Sequence, residues 1–132
     1  MHNKITKTDQ FEIQFTEGIL EKNPDFIQGL ILLGELYTKV GLYEKGLNMD
    51  LRLARLRPTD PVILYNLACS YSLLGQIDQS FTILKQAIEY GFDNFYLLET
   101  DDDLANLKKD LHFQQYYHQF KDKKPSWDFK RS

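Results

Sequence analysis

From Phe11 onward the apolar positions of this chain recur at steps of three and four, so each apolar stretch reads as one face of an α-helix. Leu30, Leu33, Gly34 and Tyr37 fall at i, i+3, i+4 and i+7, and Leu64, Leu67, Ala68 and Tyr71 write the same face again. In each copy a small residue lets a second helix approach, and a tyrosine covers the seam. Gly41 and Gly75 follow at the same interval and stop both helices, because glycine takes the left-handed conformation that a helix end needs. Further helical stretches follow, from Tyr43 to Arg57 and from Asp78 to Tyr90. Leu47, Leu51 and Ala54 line up in the first, and Phe81, Leu84 and Ile88 continue from Ile77 in the second. Pro58 closes the first hairpin, since an internal proline forfeits a helix hydrogen bond. Before all this, Phe11, Phe15 and Ile19 lie in line on one more helix.

Every matching pair is 34 residues apart (64−30, 67−33, 68−34, 71−37, 75−41), and so are Pro24 and Pro58. The chain therefore opens with the second half of a repeat and then gives two whole hairpins. A helix–turn–helix unit of this period is the signature of tetratricopeptide repeats, and the sequence resembles that family from about Gln10 to Phe92. Gly46 and Ser80 stand where the family prefers alanine, Asp50 where an aromatic is usual, and Phe92 in place of the closing proline. Leu30 and Leu64 replace the commoner tryptophan. The resemblance implies an all-α fold, a short solenoid of antiparallel helix hairpins wound as a right-handed superhelix. The expected division is a flexible terminus over 1–8 and one domain over 9–120, made of a half-repeat helix (9–23), two full repeats (24–58 and 59–92) and capping helices (93–120), then a basic, disordered tail over 121–132.

After Gly91 the 34-residue pattern loses its small-residue seam and its glycine stop. The segment resembles the terminal unit of bacterial tetratricopeptide proteins, carried by Gly91, Asp101 to Leu104, Leu107, Asp110 and Phe113. Its task would be to seal the end of the stack with a polar outer face. The acidic run Glu99 to Asp103 lacks the alternating ligands and glycine turn of a calcium loop. Thr100 and Asp103 instead suggest a helix cap before Leu104. Phe113, Tyr116, Tyr117 and Phe120 form a stripe expected to pack on the preceding helix. In the tail, Trp127 and Phe129 could dock on this molecule or on a neighbour, which leaves a homodimer as an open alternative.

Composition narrows the function class. A net charge of −3 in 132 residues speaks against nucleic-acid binding, which needs a basic footprint. No apolar run is long enough for a membrane helix. The start of the chain shows no secretory signal, and one cysteine, Cys69, cannot form an internal disulfide, so a cytoplasmic setting is expected. His112 and His118 are six apart, off the spacing of paired metal ligands on one helical face. No nucleophile elbow, phosphate loop or zinc-protease motif occurs, so neither enzymatic activity nor a metal or cofactor is expected.

What remains is recognition. In tetratricopeptide proteins the first helices line a concave side, and the resemblance places Gln28, Ile31, Glu35 and Thr38 there, with Val62, Tyr65, Cys69 and Ser72 in the next repeat and Asn66 alongside. The leading expectation is a non-enzymatic module that binds a peptide or helical segment of another protein in this groove. A secretion-type chaperone for an apolar client and a self-assembling scaffold are the alternatives. Asn66 fits one place of the clamp that holds chaperone C-termini, but Glu35 would repel a carboxylate, so that ligand is rejected. The amino-terminal helix or the tail could cover the groove; if it is free, Tyr65→Glu with Ile31→Glu should abolish capture and leave helicity intact.

Overall fold

The computed structural model describes residues 5–122, so Trp127 and Phe129 lie outside the described residues. Among the described residues every regular element is helical: α1 (Lys7–Lys22), α2 (Ile27–Lys39), α3 (Tyr43–Leu56), α4 (Pro61–Leu73), α5 (Ile77–Glu89), α6 (Phe95–Thr100), α7 (Ala105–Lys108) and α8 (Leu111–Asp122), with a 3-10 turn at Asp102–Leu104 between α6 and α7. Each long helix packs on the next in sequence, α1 on α2 through to α4 on α5, which is a helical-repeat architecture.

Local chemistry sets the boundaries. The Thr6 hydroxyl accepts from the Asp9 N–H at 2.9 Å while the Asp9 carboxylate accepts from the Thr6 N–H at 3.2 Å. This capping box starts α1 at Lys7, ahead of the boundary expected at residue 9. Asp60 caps α4 by accepting from Val62 N–H at 3.0 Å, and Pro61 fills the first helical position, where no N–H is missed. Gly41 (φ 84°) and Gly75 (φ 74°) end α2 and α4 in the left-handed conformation. Leu42 N–H then reaches back to the Tyr37 carbonyl at 2.8 Å, and Gln76 N–H to that of Tyr71 at 2.9 Å.

The repeated face is the core. Leu30, Leu33 and Tyr37 of α2, with Leu64, Leu67 and Ala68 of α4, are all buried. Tyr71 is only half-buried, so the tyrosine cover is complete in the first copy alone. Two unusual residues explain themselves at the helix crossings. A Cβ on Gly46 would come within 2.9 Å of the Thr38 Oγ1, so glycine lets α3 cross α2 without displacing the Thr38 side chain. At the equivalent place in the second hairpin, buried Ser80 donates to the Ala68 carbonyl at 2.7 Å and fastens α5 to α4.

The segment after Gly91 departs from the repeat in residue types but not in spacing. Asn94 caps α6 as Asp60 caps α4 (94−60 = 34), and α8 begins at Leu111 as α5 begins at Ile77 (111−77 = 34). The place of a third first helix is thus taken by α6, the 3-10 turn and α7, a helix broken at Asp101. The cap there is Asp101, whose carboxylate accepts from the Asp103 N–H at 3.0 Å. Thr100, expected as the cap, closes α6 instead by donating to the Tyr96 carbonyl at 2.8 Å. The aromatic stripe of α8 packs back onto α5 and α6, with Phe81 edge-on to Phe113 and Tyr116, and Phe95 against Phe120.

Candidate functional site

The break at Asp101 decides which groove positions stay open. Released from a continuous helix, the 3-10 turn and α7 settle on α4. The Asp101 carboxylate accepts from the Tyr65 hydroxyl at 2.7 Å, and the Tyr65 ring stacks on Phe92 with centroids 4.2 Å apart. Ser72 accepts the Leu107 N–H at 3.1 Å on its hydroxyl and the Asn106 amide at 2.8 Å on its carbonyl. Tyr65 and Ser72 are therefore buried under the 3-10 turn and α7. The groups that cover these two residues are Asp101, Asn106 and Leu107. Tyr65→Glu accordingly tests the core and not a binding surface, because it would bury a charge where a stacked phenol now sits.

One face over, a cleft of about 440 Å³ runs between α2, α3 and α4 and the 3-10 turn. Of the residues assigned to a groove, Ile31, Glu35, Thr38, Asn66 and Cys69 line it; Gln28 and Val62 are exposed but lie outside it. Apolar surface comes from Ile31, Leu53 and Leu73, with Gly34 between them. The polar lining that the sequence reading missed is acidic: Asp50 on α3 and Asp101 and Asp103 at the break. A lysine also lines the cleft, Lys39, but its ammonium is paired with Asp9 of α1 at 3.0 Å.

Two of these carboxylates are out of their ordinary range. Loss of solvent pushes the Asp50 carboxyl up to about 6, with Glu35 adding to the rise and a hydrogen bond from the Ser70 hydroxyl opposing it. Burial, then Asp101 and Asp102, also raise the Asp103 carboxyl. The cleft thus holds negative charge that its own neighbours disfavour, and a cation placed there would relieve it. Burial and Asp101 push the Cys69 thiol up, away from the depressed range of reactive cysteines. Among the described residues no group of three or more His, Cys, Asp or Glu side chains could hold a metal ion. Among the same residues no helix is long and apolar enough to cross a membrane.

No family model matches the chain. Over 90 residues it is 32% identical to a curated chloroplastic protein of Arabidopsis thaliana, a match that covers 66% of this chain and 27% of that protein. The chain thus corresponds to about a quarter of the length of the curated relative it matches.

Proposed function

We propose that the chain is a tetratricopeptide-type adaptor, a non-enzymatic module that binds a segment of another protein in the cleft between α2 and α4. The observation that carries this reading is the lining: an apolar strip from Ile31 and Leu73 beside carboxylates from Glu35, Asp50, Asp101 and Asp103. Such a surface suits a segment that alternates apolar and basic side chains, and it disfavours the terminal carboxylate of a chaperone. Preformed helices supply it without ordering themselves, so only the ligand loses conformational freedom on binding. The α6–α8 unit acts as the end cap of a bacterial-type array, and the free, buried Cys69 fits a cytoplasmic setting.

Labelled peptides of equal length, apolar–basic against apolar–acidic, compared by fluorescence polarisation, test this. The basic peptide should bind, and Ile31→Lys with Glu35→Lys should weaken it by roughly tenfold or more, the effect of losing ~1.4 kcal/mol. Equal binding of both peptides, or binding indifferent to the double variant, overturns the assignment.

Self-assembly is favoured by a separate observation. Phe11 and Phe15 on the outer face of α1 are 67% and 61% exposed and stack with centroids 5.9 Å apart. A second copy packing on this face predicts a dimer mass that falls to the monomer's in Phe11→Glu with Phe15→Glu. A wild-type monomer at all concentrations removes this reading.

A further inference from the structure

The end of α8 is linked to the acidic cleft through α6. Lys121, one residue before the end of that helix, pairs with Glu99 at 3.3 Å, and Glu99 stands two residues before Asp101, a wall of the cleft. The ten residues that follow, 123–132, reach up to roughly 33 Å when extended, well over the ~10 Å between neighbouring helix axes. Their chemistry complements the lining point for point. Lys123, Lys124, Lys130 and Arg131 are opposite in charge to Glu35, Asp50, Asp101 and Asp103 of the cleft, and Trp127 and Phe129 are apolar like its strip. Within this short stretch a single acidic residue, Asp128, opposes the four cations.

We infer that the C-terminal segment 123–132 is an internal ligand of the cleft, laying Trp127 against Ile31 and Leu73 and its basic residues against the carboxylates. A segment tethered in the same chain acts at a high effective concentration, so even weak contacts fill the site. A partner would then have to displace it, and the tail would set the affinity threshold for binding. This inference rests on the cleft being the ligand site proposed above.

The chain carries one tryptophan, so its fluorescence reports on the tail alone. In the full-length protein, Trp127 emission should lie to the blue of free tryptophan in water. Acrylamide quenching should be about threefold weaker or more, because docking removes most of the indole surface from solvent. Both signatures should be unchanged on dilution and lost in Glu35→Lys with Ile31→Lys, whose substituted side chains are exposed or half-buried and leave the far-ultraviolet helix signal intact. A water-exposed Trp127 in the wild-type protein overturns the inference and leaves peptide selectivity of the cleft standing. A shielded Trp127 that the double variant does not release places the tail elsewhere and also overturns it. Shielding that disappears on dilution overturns the intramolecular form and assigns the segment to a second copy. Failure of the cleft itself would show separately, as loss of selectivity between the two peptides.

Discussion

The two sides of α4 follow the same repeat and end differently. Towards α2 they leave a cleft; towards the C-terminus the corresponding space is closed. On the open side the facing first helix, α2, runs unbroken from Ile27 to Lys39. On the closed side the facing helix breaks at Asp101, and its second half drops onto α4, taking Tyr65 and Ser72 out of solvent. Repeat spacing therefore fixes where helices lie. Whether a groove survives between them depends on the continuity of the neighbouring helix.

The sharpest way to break this comparison is to charge the same position on each side. Tyr65→Glu should cost about 4 kcal/mol or more in denaturant unfolding, since it strands a carboxylate beside Asp101 and removes the Phe92 stack. Ile31→Glu, the equivalent position in the first repeat (65−31 = 34), should stay within about 1 kcal/mol of wild type because it is half-buried at an open cleft. Similar losses at both would mean the two sides are equally closed.

A milder pair probes the seal itself. Ser72→Ala leaves the buried Leu107 N–H without its acceptor and should cost about 1–3 kcal/mol. Thr38→Ala, its counterpart at the cleft, should cost under about 1 kcal/mol. Equal effects would show that the Ser72 contact does not hold α7 down.

The smallest expected effect has the opposite sign. Asp50 occupies the position that Leu84 fills in the second hairpin (84−50 = 34), where the leucine is fully buried. With its carboxyl pushed up to about 6, the folded protein holds that proton more tightly than the unfolded chain, so the charged form costs stability above pH 6 and the cost vanishes below pH 4. Asp50→Asn should thus stabilise the protein by about 1–2 kcal/mol at pH 7, with the gain fading as pH falls through that window. A gain independent of pH would locate the benefit in packing, not in charge.

The legible part of this fold was local or periodic. Leucines and small residues at three- and four-residue steps, and the repeat spacing between copies, carry the first two hairpins. The Thr6–Asp9 box and the Asp60–Pro61 start obey short-range rules and were readable by them, though the boundary expected at residue 9 passed over the first. The third hairpin kept the spacing but lost the residue types that advertise it, so matching residues failed where matching helix starts would have succeeded. The burial of Tyr65 and Ser72 was not readable, because it depends on hydrogen bonds to residues 36 and 35 positions away in a helix broken for its own local reason. Asp50 stands out in the sequence as a departure from an aromatic position; its place in a cleft depends on α3 lying beside α2 and α4.

The close crossing of α2 and α3 has a consequence for motion. It places glycines, Gly34 and Gly46, in the interiors of both helices of the first hairpin, where the second hairpin has Ala68 and Ser80. Mid-helix glycine costs roughly 0.5–1 kcal/mol relative to alanine through the freedom it gives the unfolded backbone. The first hairpin, which forms one wall of the cleft, is therefore the easier of the two to open locally, and the hairpin pinned by Ser80 and by α7 is the harder. Amide exchange should fall along the chain from the first hairpin to the second, so that of the two walls of the cleft the one from the first hairpin is the one able to yield to a ligand.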